Sequence, residues 1–346
     1  MDKIIRTAVL GSTGYVGLEL INILCKHPKV VINSLGSNSS HGEEIYQFDS
    51  RISNKSLPKL QKIENIDFSN IDIVFFALPH NTSCYLVDKL INKHKIIDLS
   101  ADFRLDDKEI YKENYKIEHP VPELLKNFVY GLPEINNAEI KKSNNIAVPG
   151  CYPTSILLPL IPLLKNNLIK NDNIIIDSKS GYSGAGKKYN INNIIKDDEL
   201  NFYNYNTNQH RHICEIKQEI SKFSNHKVSF SFNPHVLPIY RGMMSTIYCD
   251  INSKINISDI DSCLKNFYKN SKFINIVEKN ESFDFFKVQY TNNCYIKFFK
   301  HYDKNKIIIV SLIDNLIKGA SGQAIQCMNI MSGFDENLGL NKIYNV

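Results

Sequence analysis

The feature that most constrains this chain is a glycine-rich turn placed directly between an apolar strand and an amphipathic helix. Residues 4–10 predict a buried strand, and residues 15–26 predict a helix with one apolar face. Glycines allow a tight turn and a close approach to a pyrophosphate, while the helix start adds N–H donors and a positive dipole end. A turn without a ligand is the alternative. The context favours a dinucleotide site formed by Gly11, Ser12, Thr13, Gly14, Tyr15, Val16 and Gly17.

The pattern of the first 150 residues extends this unit into a layered fold. Further buried strands are predicted at residues 30–35, 71–78 and 95–99, with a helix at about residues 82–93. Apolar strands that alternate with helices are typical of a doubly wound parallel sheet. We therefore expect an α/β Rossmann domain over residues 1–150.

The pattern changes after Gly150. A helix is predicted from about Cys151 through a leucine-rich segment. Strands at residues 174–178, 228–232, 244–251 and 307–313 predict a mixed sheet in a second, α+β domain over residues 151–314. A last helix at residues 322–331 is expected to return to the first domain, which residues from about 315 to 346 complete. The polar tract at residues 190–208 is expected to be a mobile loop.

The segment after the second strand bears on which dinucleotide binds. An NAD site usually places Asp or Glu about 20 residues after the turn, where the carboxylate holds the ribose hydroxyls. Here Gly36 is followed by Ser37, Asn38 and Ser39, and no carboxylate occurs before Glu43. Because hydroxyl and amide groups can bind a 2′-phosphate, we expect NADP(H). A plain polar loop is the alternative, since the segment lacks an arginine.

Cys151 stands at the start of a predicted helix, in the segment Pro149-Gly150-Cys151-Tyr152-Pro153-Thr154-Ser155. A helix N-terminus stabilises a thiolate, which is the nucleophilic form of cysteine. The first N–H groups of the helix also suit an oxyanion. A buried core cysteine is the alternative, but the flanking glycine and prolines and the helix start favour a nucleophile.

Two polar segments carry groups that suit an anionic substrate. Gln209-His210-Arg211-His212 supplies histidines for proton transfer and an arginine that can clamp an anion. Residues 179–188, KSGYSGAGKK, combine glycines, hydroxyls and lysines that suit a phosphate, although the spacing is not that of a P-loop. A pair of structural histidines and a flexible surface loop are the respective alternatives.

Composition limits the class of protein. The formal net charge of +5 is not concentrated in any stretch, which argues against a nucleic-acid partner. The eight cysteines include no CxxC pair, so we expect no metal site, no disulfide framework and a reducing, cytoplasmic location. The N-terminal residues lack a signal-peptide pattern, and the most apolar run, residues 156–164, is too short to span a bilayer. We expect no membrane partner.

Taken together, the segments resemble the N-acetyl-γ-glutamyl-phosphate reductases, relatives of aspartate-semialdehyde dehydrogenase. The matching stretches occur in family order over nearly the whole chain. They are residues 8–17, 98–105 (DLSADFRL), 130–134 (YGLPE), 148–155 (VPGCYPTS), 180–187 (SGYSGAGK), 210–215 (HRHICE), 233–242 (NPHVLPIYRG) and 314–329 (DNLIKGASGQAIQCMN). The sequence departs from the family pattern at Asn38, where arginine is common, and at Cys214, where proline is usual.

The resemblance implies an NADPH-dependent reductase that converts a small acyl phosphate, N-acetyl-L-glutamyl 5-phosphate, to an aldehyde through a cysteine thioester. This is a step of arginine biosynthesis. It implies a homodimer or homotetramer, with Cys151 as nucleophile and His210 as general acid/base. It also implies substrate contacts at Arg104, His212, Ser183 and Arg241, and cofactor contacts at Ser183 and Asn315. Alternatives are a carrier-linked aminoadipate-phosphate reductase, aspartate-semialdehyde dehydrogenase, or a non-catalytic nucleotide sensor.

Overall fold

The structure, a computed structural model, describes residues 3–52, 56–278, 280–303 and 305–341. The chain forms two compact units, one of Met1–Pro149 with Ala320–Val346 and one of Gly150–Gly319. It returns to the first unit at Ala320, a little after the boundary expected near residue 315. Of the two expected domains, residues 1, 2, 53–55, 279, 304 and 342–346 lie outside the described residues.

The first unit alternates strands with helices around a parallel sheet. Up to residue 149 its elements are β1 (Ile5–Leu10), α1 (Tyr15–Leu24), β2 (Val30–Gly36), β3 (Leu60–Gln61), β4 (Ile73–Phe76), α2 (Cys84–Leu90), β5 (Lys95–Asp98), α3 (Lys108–Tyr115), β6 (Val129–Tyr130), α4 (Pro133–Lys142) and β7 (Asn145–Ala147). The seven strands lie in the order β3-β2-β1-β4-β5-β7-β6, and every pair is parallel. This confirms the predicted doubly wound sheet.

Strand β1 lies inside this sheet, and its apolar second half, Ala8, Val9 and Leu10, is completely buried. Leu10 is in register with Gly36 at the end of β2 and with Phe76 at the end of β4. The carboxyl ends of these strands therefore meet at one edge of the sheet. The glycine turn and the loop after β2, the two predicted cofactor segments, start side by side at this edge.

The second unit is built on a mixed sheet. Its elements are α5 (Cys151–Lys165), β8 (Ile174–Gly181), β9 (Ile195–Lys196), β10 (Glu199–Leu200), β11 (Tyr203–Asn204), α6 (His212–Ser221), β12 (Phe230–Leu237), β13 (Met243–Asp250), α7 (Ile257–Phe267), β14 (Ile274–Ile276), β15 (Cys294–Lys300) and β16 (Lys306–Ile313). The main sheet has the order β11-β12-β8-β13-β16-β15-β14. β8 pairs with β12, and β14 with β15, in parallel, while the other pairs are antiparallel. The predicted α+β class is confirmed.

Helix α5 forms the core of this unit. Every residue from 152 to 164 is buried, because the helix packs on β13 and β16 and also against α6 and α7. Its buried hydroxyl residues Thr154 and Ser155 bond to backbone carbonyls at the start of the same helix, so the mainly apolar helix can lie inside the core. Cys151, its first residue, is therefore attached to a rigid element.

Residues 190–208, expected to form a mobile loop, instead contain three short strands. β9 and β10 form a hairpin around Asp197 and Asp198, which both have positive φ. Two positive-φ residues between paired strands are the pattern of a type I′ turn. β11 pairs with β12 and so becomes the edge strand of the main sheet. The tract is therefore not a loop throughout, because polar composition does not reveal the pairing of such two-residue strands.

The last helix, α8 (Gly322–Ser332), belongs to the first unit, where it is buried along its whole length against α1 and α4. A π-helical turn at Ile317–Ser321 precedes it. Among the residues that the structure describes, no helix has the length and apolar character needed to cross a membrane.

Candidate active site

Cys151 is half-buried at the first position of α5. Gly150 precedes it as an extended N-cap and has no side chain to bond the first amides of the helix. The Gly150 carbonyl accepts hydrogen bonds from the backbone N–H and the hydroxyl of Thr154, which fixes the first turn. Because a helix N-terminus stabilises negative charge, this position suits a thiolate nucleophile.

Two residues from other segments hold the Cys151 backbone. The fully buried carboxylate of Glu215, in α6, accepts a hydrogen bond of 2.8 Å from the Gly150 N–H. From another direction, a Cβ added at Gly319 would lie 2.7 Å from the Cβ of Cys151. Carbon atoms in contact prefer to stay about 3.5–4.0 Å apart. Glycine is therefore required at position 319 for this packing.

The ring of His210 has a defined tautomer. Its Nδ1 accepts a hydrogen bond of 3.1 Å from the backbone N–H of His212, so the network assigns the ring proton to Nε2. The side chain is 9% exposed. Burial, with a smaller effect of the Arg211 charge, lowers the pKa of His210 to about 4. His210 is thus a neutral ring that presents an Nε2–H donor.

A chain of hydroxyl groups continues from this donor. The Tyr205 hydroxyl lies 3.4 Å from Nε2 of His210 and donates to the Tyr152 hydroxyl over 3.3 Å. The Tyr152 hydroxyl in turn donates to the backbone carbonyl of His235. Burial raises the pKa of Tyr205 to about 12, so its hydroxyl keeps its proton near neutral pH. Because the Tyr205 hydroxyl already donates to Tyr152, its oxygen accepts the hydrogen bond from the Nε2–H of His210.

Three of the predicted residues meet in one cavity of the second unit. Cys151, His210 and His212 line it together with Tyr152, Tyr205 and residues of the segment 180–185. The His210 and His212 rings lie 4.7 Å apart between centroids. The cavity thus combines a thiol at a helix start, an imidazole N–H donor and the predicted phosphate-type loop, which are groups that acyl transfer can use.

Ser183, Asn315 and Arg241 form a second group, and none of them is among the described residues that line this cavity. The Asn315 amide donates to the Ser183 hydroxyl over 2.9 Å. Arg241 is 2% exposed, forms a 3.0 Å ion pair with the buried Asp314, and stacks on the ring of Tyr290. Asp314 also accepts the N–H groups of residues 316 and 317, so this ion pair fixes the segment that leads to Gly319.

Arg104, the remaining predicted substrate residue, belongs to the first unit. It is nearly buried, and its guanidinium donates to the carbonyl of Leu99. Burial, and then the charge of Asp102, raise the pKa of Asp98 to about 7, while Arg104 opposes that rise. Arg104 is therefore the cation of a buried, partly acidic cluster at the carboxyl end of β5.

The glycine turn has the shape that a dinucleotide needs. Gly11 has φ of +83°, and a Cβ there would lie 2.2 Å from the carbonyl oxygen of Ala77. A Cβ at Gly17 would lie 2.3 Å from the carbonyl oxygen of Gly11. Helix α1 starts at Tyr15 with Gly14 as N-cap, so no capping side chain competes for its first amides. The residues present fit a pyrophosphate at this helix start.

The other residues of the two cofactor segments differ in what they can still bind. The Ser12 hydroxyl is buried and donates to the carbonyl of Val9, so it faces away from a ligand. The Thr13 and Ser37 hydroxyls are 3.3 Å apart, whereas Ser39 is exposed. The Asn38 side chain accepts from the Ile63 N–H, which leaves its amide NH₂ for a phosphate. The polar groups expected after β2 thus include exposed donors.

A larger cavity, with a volume of about 560 Å³, lies elsewhere in the first unit. It is lined by residues at the amino ends of β1, β4 and β5, among them Arg6, Asp72 and Lys95. Parallel sheets of this type bind ligands outside the carboxyl ends of their strands. This cavity is therefore on the wrong edge for the cofactor.

The sequence interpretation assigned no role to three residues of the site, Glu215, Tyr205 and Gly319. Glu215 was visible only as a carboxylate near two histidines, and Gly319 only as a glycine in a matching stretch. Tyr205 lies in the tract expected to be a loop. No local pattern indicates which distant residue each of them contacts.

Two family models together match most of the chain. Residues 6–143 match "Semialdehyde dehydrogenase, NAD binding domain", and residues 151–315 match "Semialdehyde dehydrogenase, dimerisation domain". These spans agree closely with the two structural units.

Similar proteins point to one branch of this group. An N-acetyl-gamma-glutamyl-phosphate reductase of Clostridium botulinum (strain Eklund 17B / Type B) is 44% identical over 98% of both chains. One from Ehrlichia canis (strain Jake) is 42% identical over 99% of both. A crystal structure of aspartate semialdehyde dehydrogenase with NADP from Candida albicans has a TM-score of 0.70 and 16% identity, and covers 96% of this chain and 99% of that one. At that identity it shows the shared fold.

Proposed function

Because the chain belongs to the N-acetyl-gamma-glutamyl-phosphate reductase family, we propose that it reduces N-acetyl-L-glutamyl 5-phosphate to N-acetyl-L-glutamate 5-semialdehyde with NADPH, releasing phosphate. The reaction is a step of arginine biosynthesis. The observation that carries the proposal is that Cys151 at a helix start and the Nε2–H donor of His210 line the same cavity. A carrier-linked aminoadipate phosphate would need the same chemistry, but no observation favours it.

The first half of the reaction belongs to Cys151. Its thiolate attacks the acyl carbonyl carbon, the bond from that carbon to the phosphate oxygen breaks, and phosphate leaves with the bonding electrons. The N–H groups at the start of α5 stabilise the oxygen that becomes negative during attack. A thioester remains on Cys151, and it accepts hydride much more readily than a carboxylate does.

NADPH, when bound, would supply the hydride needed to reduce the thioester. The glycine turn (Gly11, Gly14 and Gly17) would hold its pyrophosphate, and Ser37, Asn38 and Ser39 its 2′-phosphate. Ser183 and Asn315 remain predicted contacts of the cofactor. The absence of a carboxylate directly after β2 supports NADP(H) over NAD(H).

The second half of the reaction belongs to His210. After hydride addition the former carbonyl oxygen carries negative charge, and the Nε2–H of His210 donates a hydrogen bond to it in place of Tyr205. A neutral imidazole can perform this task because its Nε2–H stabilises the oxyanion by a hydrogen bond and keeps its proton. The carbon–sulfur bond then breaks, the aldehyde leaves, and the Cys151 thiolate is restored. We thus propose that His210, predicted as a general acid/base, acts by donating and sharing the proton on its Nε2 with the substrate oxygen.

Substrate recognition is proposed for Arg104, His212 and Ser183. His212 lines the cavity, and Arg104 provides a cation that suits a carboxylate or phosphate. Arg241 stays a predicted substrate residue. Its ion pair with Asp314 supports a structural contribution through the Gly319 segment.

A homo-oligomer, either a dimer or a tetramer, is proposed to form on the open face of the second sheet. Ile175, Tyr248 and Phe299 are 50%, 39% and 42% exposed. Tyr248 on β13 is in register with Ile175 on β8 and with Ile308 on β16. Ile308 is in register with Phe299 on β15, so the four side chains form one continuous row across four strands. An apolar row across four strands is typical of a surface covered by another protein.

The eight cysteines, all described and none in a disulfide, support the proposed cytoplasmic location.

An assay in the oxidative direction tests the proposed substrate. The purified protein is given phosphate, NADP⁺ and one of three aldehydes: N-acetyl-glutamate semialdehyde, its carrier-linked aminoadipate counterpart, or aspartate semialdehyde. Turnover is monitored by the absorbance of the NADPH that forms. We expect the highest kcat/KM for N-acetyl-glutamate semialdehyde. Activity confined to the carrier-linked aldehyde would assign the chain to lysine biosynthesis instead. Cofactor binding without turnover of any of the three would indicate a sensor.

A further inference from the structure

Glu215 has no role in the mechanism above, although it is a fully buried carboxylate next to the nucleophile. It is the fourth residue of α6, and its Oε1 accepts a hydrogen bond of 2.8 Å from the N–H of Gly150. Gly150 is the residue immediately before Cys151. Burying a carboxylate is costly unless it makes strong hydrogen bonds, and the bond from the Gly150 N–H offsets part of that cost.

The same short helix also controls His210. Helix α6 begins at His212, whose backbone N–H occupies Nδ1 of His210. The two contacts are therefore only one turn apart on one helix. Glu215 holds Gly150, the residue before Cys151, and the N–H of His212 holds the imidazole of His210. Helix α5 packs against α6, so the bond from Gly150 to Glu215 joins two elements that are also in direct contact.

We propose that Glu215 is a positioning residue that ties Gly150 to α6 and thereby sets the distance and direction between the Cys151 thiolate and the Nε2–H of His210. This inference rests on the proposed function. The hydrogen bond acts before the chemical step, since it aligns the two groups that must act on the same carbonyl. Misplacement of reacting groups by about 1 Å is sufficient to slow an enzymatic step about 100-fold.

The first test removes the acceptor. In Glu215→Ala, kcat should fall about 10- to 100-fold, whereas KM and NADPH affinity should change little. Glu215→Gln keeps a carbonyl oxygen at the same reach and should restore most of kcat. The matched control is Glu219→Ala, which removes another buried glutamate of α6, one that pairs with Lys222 instead of Gly150. It should lower the melting temperature and leave kcat close to that of the wild type.

The second test removes the donor and does not depend on the stability of the glutamate variants. Gly150 has φ of −67°, which matches the fixed φ of proline, so Gly150→Pro deletes the N–H while keeping the backbone angle. Gly150→Ala keeps the N–H and serves for comparison. The proline variant should be slower than the alanine variant. In a double-mutant cycle, Gly150→Pro combined with Glu215→Ala should be no slower than the slower single variant.

A third measurement needs no substrate. The rate at which iodoacetamide alkylates Cys151, followed by peptide mass spectrometry, should fall in Glu215→Ala and recover in Glu215→Gln, since the helix start that stabilises the thiolate is displaced only in the former. The proposal is overturned if folded Glu215→Ala has wild-type kcat and alkylation rate, if Glu215→Gln is as impaired as Glu215→Ala, or if the two single effects multiply in the cycle. A wild-type protein without any turnover would overturn the proposed function instead, while the alkylation comparison would still decide this inference.

Discussion

The backbone N–H of His212 lies 3.1 Å from Nδ1 of His210 and therefore determines which ring nitrogen carries the proton. An ordinary histidine titrates near pH 6.5, but protonation of this ring would place two donors against each other at Nδ1. Burial works in the same direction, and the pKa of His210 is lowered to about 4. The neutral form of His210 should thus dominate throughout the physiological range.

We expect ¹⁵N-histidine NMR to show His210 as the Nε2–H tautomer at pH 7, with no change until the pH falls well below 6.5 and approaches 4. The signal is identified by its loss in His210→Asn. That variant should slow turnover about 10²–10⁴-fold, the usual contribution of a positioned proton-sharing group. A His210 resonance that titrates near 6.5 would contradict the assigned tautomer and favour an imidazolium acid.

Cys151→Ala should abolish turnover and leave NADPH binding intact, because the glycine turn belongs to the other unit. Cys151→Ser should be nearly as inactive, since a hydroxyl ionises far less readily and would form an ester, which accepts hydride poorly.

Intact-protein mass spectrometry with acyl phosphate and no NADPH should show an acyl adduct on the wild type alone. Cys151 should also react with iodoacetamide faster than the other seven cysteines. Substantial activity in Cys151→Ala would rule out the thioester route.

Gly319→Ala should reduce turnover although residue 319 carries no reactive group. The new methyl would lie 2.7 Å from the Cβ of Cys151 and must push α5 or its own segment away. We expect kcat to fall at least about 10-fold, in line with the cost of misplacing a reacting group. Comparing kcat with the melting temperature separates this effect from a loss of fold. Unchanged kcat would mean that the site relaxes around the methyl group.

The loop after β2 should control the choice between NADPH and NADH through charge. Ser39 is exposed there, and no carboxylate is present between Gly36 and Glu43. Ser39→Asp should weaken NADPH by repelling the 2′-phosphate, and Ser39→Arg should strengthen it. The measurement is kcat/KM for both cofactors in the three proteins. Equal effects on NADPH and NADH would show that residue 39 is remote from the 2′-phosphate, and a wild-type preference for NADH would refute the cofactor assignment.

Tyr248→Glu should dissociate the proposed oligomer, because it buries a charge in the middle of the apolar row on the second sheet. Tyr302, which is almost fully exposed and outside that row, offers a matched control in Tyr302→Glu. Sedimentation velocity of both variants and the wild type gives the mass in solution. If Tyr248→Glu retains the wild-type mass, the subunits associate through another surface.

Local patterns were sufficient to predict four of the seven strands of the first sheet, β1, β2, β4 and β5, and the start of α5. Apolar strands, the glycine turn and the segment around Cys151 each occupy a few consecutive residues, so their conformations follow largely from neighbours in sequence. The cavity that collects Cys151, His210 and His212 was implied only by resemblance to a family, because the first two are separated by the whole of β8 and the tract at residues 190–208.

The parts that could not be predicted depend on distant contacts. The Asp197–Asp198 turn has residues that tolerate positive φ, but the strands beside it are only two residues long, and their pairing leaves no periodic signal. β14 and β15 were missed for a similar reason: β14 is three residues long, and β15 ends in exposed, charged residues. The bond from Glu215 to Gly150 joins residues 65 positions apart, and a single sequence does not record such a pair.

The placement of α8 has a consequence for the order in which the molecule forms. During synthesis the ribosome completes the whole of Gly150–Gly319 before it releases the helix that the first unit needs. Until then α1 and α4 expose the apolar surfaces that α8 later covers. The second unit is continuous in sequence and is free to fold as it emerges, as domains commonly do. The segment that carries Cys151 and His210 can therefore fold before the first unit is complete, and the first unit becomes complete only when α8 is added.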